Sequence, residues 1–273
     1  MTAKPDVMDL VSTLKLKGEA FVLATVVRTV SVTAAKAGAK AVIRADGSIE
    51  GGWIGGGCAR GAVLKAAQEV LKDGKPRLIS VQPPDDLQAR GVRPGESRDG
   101  VRFARNMCPS KGTMDIFIEP VMPRPSLIIC GASPVAQWLA KLGTTMGYDI
   151  TVCAPPAEQD AFELADRRIE GYALGVNDES ERFIVISTQG KGDEVAVRAA
   201  LGAEASYKAF VGSRRKMAAL RAELVADGLS PDAIDAIKAP AGLDIGAITP
   251  EEIALSILSE IVTLRRKAQR SQS

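Results

Sequence analysis

The chain has 273 residues, of which 46% are hydrophobic and 25% charged, a composition that excludes bulk disorder and suggests two folded domains. Its 35 lysines and arginines nearly balance 33 aspartates and glutamates, and 4% of residues are aromatic, so neither charge nor base stacking favours a nucleic-acid partner. The sequence has no histidine, which excludes histidine-based catalytic triads and histidine-ligated metal sites.

Hydrophobic periodicity divides the first half into alternating helix and strand segments. The predicted elements, in chain order, are a helix over 7–16, strands over 21–29, 40–44 and 48–53, a helix that a glycine cluster opens and Asp73-Gly74 ends, and a strand over 113–118. Asp46-Gly47, between the second and third strands, is typical of a tight hairpin turn. We therefore predict an α/β domain over residues 1–122.

The segment over 82–108 interrupts this order. Its periodicity is weak, and it carries five arginines: Arg90, Arg93, Arg98, Arg102 and Arg105. We expect a long and mostly irregular insertion. Two interpretations of the arginines stay open, a solvated surface or a surface that clamps phosphate or docks a partner.

Three prolines within 119–125 remove backbone donors and favour extended chain, which predicts a linker. Strands and helices alternate beyond it: a strand over 126–130, a helix over 134–146, a strand over 149–153, and strands over 183–187 and 208–212, each with helical residues after it. This order predicts a second domain, residues 123–273, built on a doubly wound parallel sheet. Its last helix begins at Thr249-Pro250 with Glu252 at the capping-box position, and we expect its apolar stripe to pack against the sheet or a second subunit.

The four cysteines are Cys58, Cys108, Cys130 and Cys153. They form no C-x-x-C pair, and in a chain of this size they do not predict a disulfide scaffold. No apolar run approaches the roughly 18 residues of a membrane helix, and the N-terminal stretch lacks the apolar core of a signal peptide. We therefore expect a cytoplasmic protein without a membrane span.

A glycine-rich turn over 51–61 is the strongest local motif. Gly55, Gly56 and Gly57 are consecutive, so the backbone there can approach a ligand closely. Cys58 follows them at a predicted helix start, where free N–H groups and the helix dipole suit an anion and lower a thiol pKa. We expect a thiol that faces a ligand; the alternative is a tight turn around a small buried thiol.

Two weaker motifs lie outside this turn. Cys108 begins a Cys-Pro-Ser-Lys-Gly loop and becomes a site residue only if it meets a partner. Gly131-Ala132-Ser133 stands where a dinucleotide fingerprint would stand, but Ser133 replaces the second glycine. Because the next strand ends at Ala154 without an acidic residue, NAD binding is disfavoured, although a nucleotide or phosphate could rest on the helix start.

These motifs occur together in an order that resembles the XdhC/CoxI family, accessory proteins that bind molybdenum cofactor and help mature xanthine dehydrogenase-type molybdenum hydroxylases. The matching stretches are Ala24–Thr29, Ala37–Lys40, Asp46-Gly47, Gly55–Cys58, Cys108 ahead of Ile116–Pro120, Gly131-Ala132 and Ala239–Ala247. The glycine–cysteine element and the last stretch are the specific ones. The chain departs from the common pattern of the family at 30–36 and at Thr188-Gln189. These departures make it similar to the CoxF-like branch associated with carbon monoxide dehydrogenase.

The resemblance implies that Cys58 and Cys108 approach the molybdenum or dithiolene end of a pterin cofactor, as metal ligands. Lys40 and the N–H groups of Gly55, Gly56 and Gly57 would lie nearby. The implied cofactor is molybdopterin cytosine dinucleotide. A Rossmann-like C-terminal domain is also implied, in which Gly131, Ala132 and Ser133 could hold a nucleotide.

The resemblance further implies a homodimer and a client, the large subunit of a molybdenum hydroxylase, with a cysteine desulfurase or another maturation factor as a second partner. The leading interpretation is a maturation chaperone for sulfuration or insertion of the cofactor, an accessory binding protein more than a turnover enzyme. The alternative is a nucleotide-dependent oxidoreductase or sulfur-transfer enzyme that uses Cys58. A third interpretation is a regulatory binding module.

Overall fold

The structure is a computed structural model that describes residues 6–175 and 180–271. Two compact units divide the chain, Met1–Pro123 and Arg124–Ser273. Both units are α/β structures, and the second is built on a parallel sheet. The predicted fold class is therefore confirmed.

The first unit is a mixed sheet with helices packed on it. Its elements are α1 (Val7–Leu16), β1 (Phe21–Val30), β2 (Lys40–Arg44), β3 (Ile49–Gly52), α2 (Gly57–Asp73), β4 (Arg77–Gln82), α3 (Pro84–Ala89), β5 (Ser97–Arg98), β6 (Val101–Arg105) and β7 (Thr113–Val121). Within residues 6–123, seven strands form the sheet in the order β3-β2-β1-β7-β4-β6-β5. β4 and β6 are parallel, and the other neighbouring strands are antiparallel.

The helix α2 covers one face of this sheet. Val63, Ala67 and Val70 recur at helical spacing and are buried against strand residues such as Ile116. Burial of each valine-sized side chain contributes about 1.5–3 kcal/mol, and Gly74, in the left-handed region at φ 68°, ends the helix. The first turn of α2 is therefore held in place by the packing of the turns that follow it.

The segment over 82–108 is more regular than expected, because it contains α3, β5 and β6. β6 runs parallel to β4 and buries Phe103, while Arg105 at its end is exposed. The expected irregular insertion is therefore wrong. The weak periodicity suggested an irregular segment, but Val101–Arg105 forms a short strand in which Phe103 is buried and Arg102 and Arg105 lie on opposite faces.

The proline segment predicted as a linker begins as a strand. β7 continues through Pro120 to Val121 and pairs there with β1, Pro120 lying opposite Val22. Pairing of β7 with β4 ends at Ile118. Beyond Ile118, β7 pairs with β1 but no longer with β4. Proline is tolerated on such an open side of a strand, since no ladder bond there needs the missing N–H.

Strands and helices alternate through the second unit. Its elements are β8 (Ser126–Cys130), α4 (Pro134–Thr145), β9 (Asp149–Ala154), β10 (Arg167–Glu170), β11 (Arg182–Ile186), α5 (Asp193–Leu201), β12 (Tyr207–Phe210), α6 (Arg214–Ala226), α7 (Pro231–Asp235) and α8 (Pro250–Ser271), with a 3₁₀ turn at Pro156–Ala161 after β9. Among the described residues of this unit, five parallel strands run in the order β10-β9-β8-β11-β12. β9 lies on one side of β8 and β11 on the other, so the switch point of the sheet lies between β8 and β11.

Helices cover both faces of this parallel sheet. Leu139 of α4 and Ile257 of α8 are buried on one face, and Val197 of α5 and Leu224 of α6 on the other. The central strands β8, β9 and β11 are buried along nearly their whole length, as expected where both faces are covered. The predicted doubly wound arrangement is therefore confirmed.

The last helix, α8, packs within its own unit against α4. The carboxylate of Glu252 accepts hydrogen bonds from the backbone N–H groups of Ile248 at 2.9 Å and Thr249 at 3.0 Å, which lowers the pKa of Glu252. This capping bond was predicted from the sequence. Across the described ranges, no helix combines the length and apolar character needed to cross a membrane.

Candidate functional site

Cys58 lies in the first turn of α2. Gly56 is the N-cap of this helix and has no side chain to accept a capping hydrogen bond, so the first-turn N–H groups keep their capacity to bind a ligand. The backbone N–H of Met107 points at the thiol, 3.3 Å from Cys58 Sγ. Because the Cys58 side chain is half-buried, it is held in place and is still accessible.

Cys108 meets Cys58 at this turn. It lies next to Met107 in the loop over 106–112, close enough to Cys58 for the two thiols to interact. Desolvation, and then the negative charge of Cys58, raise the pKa of the Cys108 thiol above its usual range. Two segments that lie far apart in the sequence thus place two thiols together.

Asn106 holds the Cys108 loop in shape. Its side chain accepts a hydrogen bond from the N–H of Cys108 at 3.0 Å and donates one to the carbonyl of Gly112 at 2.5 Å. Its own N–H bonds the carbonyl of Gln82 at 2.7 Å, which ties the loop to the end of β4. Asn106 was not predicted as a site residue; a polar residue shortly before a Cys-Pro loop was the available signal.

Gly112 closes the same loop by close contact. A Cβ there would lie 2.2 Å from the carbonyl oxygen of Val32, so no larger residue fits without moving the backbone. The adjoining residue, Lys111, forms a bridge to Val32. The loop that carries Cys108 is therefore packed against the segment after β1.

The three consecutive glycines differ in their surroundings. Gly55 is buried with φ 110°, and a Cβ there would lie 3.1 Å from Met114 Cε, so the fold itself requires this glycine. Gly56 and Gly57 face open space: among the described residues, no atom beyond their own turn lies within 4 Å of the place a Cβ would take. The backbone above the thiols is therefore accessible to a ligand, as the glycine run predicts.

Lys40 lies apart from the thiols in the described contacts. Its Nζ donates to Thr25 Oγ1 at 3.2 Å. Ala41 next to it packs with α2, so strand alternation places the Lys40 side chain on the opposite face of the sheet. The role of Lys40 in ligand binding stays a prediction.

Two of the five arginines over 82–108 serve the fold. Arg98 donates to the carbonyls of Arg90 at 3.1 Å and Gly91 at 2.8 Å. Arg102 forms an ion pair with Glu69 of α2. These guanidinium groups are already bonded, so the phosphate-clamp interpretation gains nothing from them.

Two thiols are too few to hold a metal ion by themselves. Within residues 6–175 and 180–271, no group of three or more cysteine, aspartate or glutamate side chains is placed to hold a metal. A metal at Cys58 and Cys108 would therefore take further ligands from the molecule that carries it. Their role as metal ligands stays a prediction.

We predict that brief iodoacetamide treatment labels Cys58 first, then Cys108, and leaves Cys130 and Cys153 largely unmodified. Both strand cysteines are 0% exposed, and the hydrogen bond with Cys153, together with burial, raises the pKa of Cys130. In Cys58→Ala, loss of the neighbouring charge should lower the pKa of Cys108, so its labelling should begin at lower pH. Mass mapping at several pH values measures both effects, and early labelling of Cys130 or Cys153 would contradict them.

We predict that Asn106→Ala lowers the free energy of unfolding by about 1–3 kcal/mol, because the substitution leaves buried backbone groups unpaired. It should also speed the alkylation of Cys108, since the loop loses its brace. Ser110→Ala, at an exposed position of the same loop, is the control and should change stability by less than about 0.5 kcal/mol. Urea unfolding followed by circular dichroism gives the comparison; equal stability of the two variants would refute the role of Asn106.

The turn after β8 carries the predicted nucleotide residues Gly131, Ala132 and Ser133. Gly131 has φ 110°, and a Cβ there would lie 2.5 Å from the carbonyl oxygen of Ser187. Ser133 Oγ lies 2.5 Å from Ser187 Oγ and accepts a hydrogen bond from the N–H of Ala136 at 3.1 Å. Pro134 has no N–H. Most of the backbone N–H groups at the start of α4 that a pyrophosphate would use are thus absent or already hydrogen-bonded.

A cavity of about 370 Å³ opens beside this turn, at the switch point of the sheet. Its wall includes Glu158, Asp160, Gln189 and Lys191. Gln189 has φ 52°, an unusual conformation for a residue other than glycine. The two carboxylates were not predicted, because an acidic residue was expected at the end of β9 and they lie in the 3₁₀ turn that follows.

We predict that NAD and NADP bind weakly, with dissociation constants well above about 1 μM, equivalent to about −8 kcal/mol. Ser133 and Pro134 leave few N–H donors for the pyrophosphate, and the carboxylates of the cavity oppose its charge. Titration calorimetry with the full chain measures this. A dissociation constant near 1 μM would contradict the prediction and favour the oxidoreductase alternative.

Comparison with known proteins gives two family matches. Residues 14–82 match the family model of the XdhC and CoxI family, and residues 127–261 match that of the XdhC Rossmann domain. The first match contains the glycine turn and Cys58. The second contains the turn after β8 and all five strands of the second sheet except the first residue of β8.

Two curated relatives are each 29% identical to the chain. One is the uncharacterized protein YqeB of Escherichia coli (strain K12), matched over 84% of this chain and 41% of that protein. The other, from Bacillus subtilis (strain 168), is named as a probable xanthine dehydrogenase subunit and is matched over 57% of this chain and 47% of that protein. The chain spans less than half the length of both. A crystal structure described as a xanthine dehydrogenase from Bacillus halodurans is 20% identical, with a TM-score of 0.46 over 96% of each chain.

Proposed function

We propose that this chain, which belongs to the XdhC and CoxI family as its motifs predict, assists the maturation of xanthine dehydrogenase-type molybdenum enzymes by binding their cofactor in its first unit. One relative carries the name of a probable xanthine dehydrogenase subunit, which supports this class of client. The observation that carries the proposal is the contact of Cys58 with the Cys108 loop at an open glycine turn.

The chemistry of this turn fits a molybdenum cofactor such as molybdopterin cytosine dinucleotide. Cys58 and Cys108 supply two soft sulfur ligands, and a cofactor that brings sulfur and oxygen ligands of its own needs no third protein ligand. The uncapped N–H groups at Gly57 and Cys58 suit the negative phosphates of such a molecule. When bound, the cofactor supplies the redox centre of the client; this chain holds and shields it.

The surroundings of the thiols support a protein partner at the same place. Met107, directly before Cys108, is 62% exposed, and Trp53, two residues before Gly55, is 57% exposed. Exposed methionine and tryptophan are enriched in protein interfaces. The proposed partner is the large subunit of a molybdenum hydroxylase, such as carbon monoxide dehydrogenase, which would receive the cofactor here.

The family resemblance supports three further parts of this proposal. The chain acts as a homodimer, it works in the cytoplasm, and a cysteine desulfurase provides sulfur where the cofactor is sulfurated before insertion. The free state of all four cysteines is in keeping with a reducing compartment. No turnover by this chain is required in this scheme.

We predict that Cys58→Ala lowers cofactor retention at least tenfold, because it removes one of two sulfur ligands. Gly57→Ala should lower retention severalfold by placing a methyl group in the open space above the turn. The measurement is pterin and molybdenum retained by the full chain after loading and gel filtration. Retention equal to wild type in Cys58→Ala would overturn the proposed site.

Gly61→Ala is the matched control for Gly57→Ala. Both glycines belong to α2, and in the part of the chain that the structure describes, no atom beyond the helix's own backbone and the adjoining residues lies within 4 Å of an added Cβ, but Gly61 lies one turn beyond the thiol. Alanine is a better helix former than glycine by up to about 1 kcal/mol, so both variants should fold as well as wild type. Equal loss of retention in both variants would show that the open turn is not the binding surface.

A further inference from the structure

A second cavity, of about 590 Å³, lies in the C-terminal unit at the carboxyl end of β12. The loop over 239–247, with the sequence Ala-Pro-Ala-Gly-Leu-Asp-Ile-Gly-Ala, forms most of its wall, and α6 and α8 complete it. It shares no lining residue with the cavity at the switch point. Its volume falls in the range of small-molecule sites, about 300–1,000 Å³.

A buried hydrogen-bond network fixes the first half of this loop. Glu260, only 8% exposed, accepts hydrogen bonds from the Tyr207 hydroxyl at 2.6 Å and from the N–H of Gly242 at 3.0 Å. Lys238 pairs with the same carboxylate and donates to the carbonyl of Gly242 at 2.9 Å. This part of the cavity wall is therefore held in place without a ligand, which reduces the entropy cost of binding.

The second half of the loop has unused backbone donors. Asp244, Ile245, Gly246 and Ala247 all line the cavity, and their N–H groups make no hydrogen bond within the described part of the chain. Gly246 adopts φ 72°, which bends this run of residues. Successive free N–H groups in a bent loop form a concave site for anions.

Two charged side chains line the same cavity. Arg214, the first residue of α6, and Asp244 both have no ion-pair partner among residues 6–175 and 180–271. An arginine with unused donors suits phosphate, which it can bind in a bidentate manner. A carboxylate disfavours a bare anion but accepts hydrogen bonds from hydroxyl groups.

We propose that this cavity binds a phosphate ester of a sugar, its phosphate on Arg214 and the free N–H groups of the loop, and its hydroxyl groups on Asp244. Leu243, Ile245 and Ile253 give the cavity an apolar side, against which a base attached to the sugar would pack. The site lies in the C-terminal unit and uses neither Cys58, nor the glycine turn before it, nor the Cys108 loop. It adds a function that cofactor binding at Cys58 does not require.

Titration calorimetry with the full chain tests the proposal, using ribose 5-phosphate, cytidine 5′-monophosphate, cytidine and inorganic phosphate as probes. Both phosphate esters should bind at least tenfold more tightly than cytidine or inorganic phosphate. Tighter binding of the nucleotide identifies a nucleotide as the source of the phosphate, and equal binding identifies a sugar phosphate. Absence of binding by both esters, or equal binding of inorganic phosphate, would overturn the proposal.

Matched arginine variants locate the binding. Arg214→Gln should weaken ester binding at least tenfold, whereas Arg215→Gln, at the next exposed position of α6 outside the cavity, should leave it unchanged. Asp244→Asn should weaken binding of the esters but not of inorganic phosphate. Equal effects of the two arginine variants would refute the site. Binding by Cys58→Ala should equal wild type, which keeps this test separate from that of the proposed function.

Discussion

Burial of α2 against the first sheet is the interaction on which the thiol site depends. Most of the apolar residues that hold the helix, among them Val63 and Val70, lie from its second turn onward, and the first turn, 57–60, contributes one small buried side chain, that of Ala59. Stability and ligand access are thus divided along one helix. The glycine turn can stay open because packing further along already fixes its position.

The site also depends on how the sheet orders its strands. β4 and β6 are parallel and end at the same edge, where β7 begins. Asn106, directly after β6, can therefore bond the last residue of β4 and the residue before β7 within one short loop. Cys108 reaches Cys58 through this arrangement, since backbone groups at strand ends are free to hold a loop. Had β6 been an irregular insertion, the loop would have had no such anchor.

The sequence predicted those parts whose signals are local. Hydrophobic period, Asp46-Gly47 and the capping residue Glu252 were sufficient for α1, α2 and α4, the hairpin and the start of α8, which the structure reproduces. β6 was missed because it is only five residues long and two of them are arginines, so its apolar pattern was too short to stand out. Asn106 could not be identified as a brace, since its partners lie in β4 and beside β7, and long-range hydrogen bonds leave no periodic trace. The contact of the two thiols was expected from family resemblance, because nothing in the spacing of Cys58 and Cys108 reports their distance in space.

The proline at the end of β7 has a consequence for association between chains. Past Ile118, one side of β7 has no strand partner among the described pairings, and a bare strand edge invites pairing with a second chain. Pro120 lacks the N–H that an incoming strand would need for a continuous ladder. The unpaired end of β7 therefore resists edge-to-edge aggregation. Substitution of Pro120 by a residue such as valine would remove that protection without disturbing the pairing of β7 with β1.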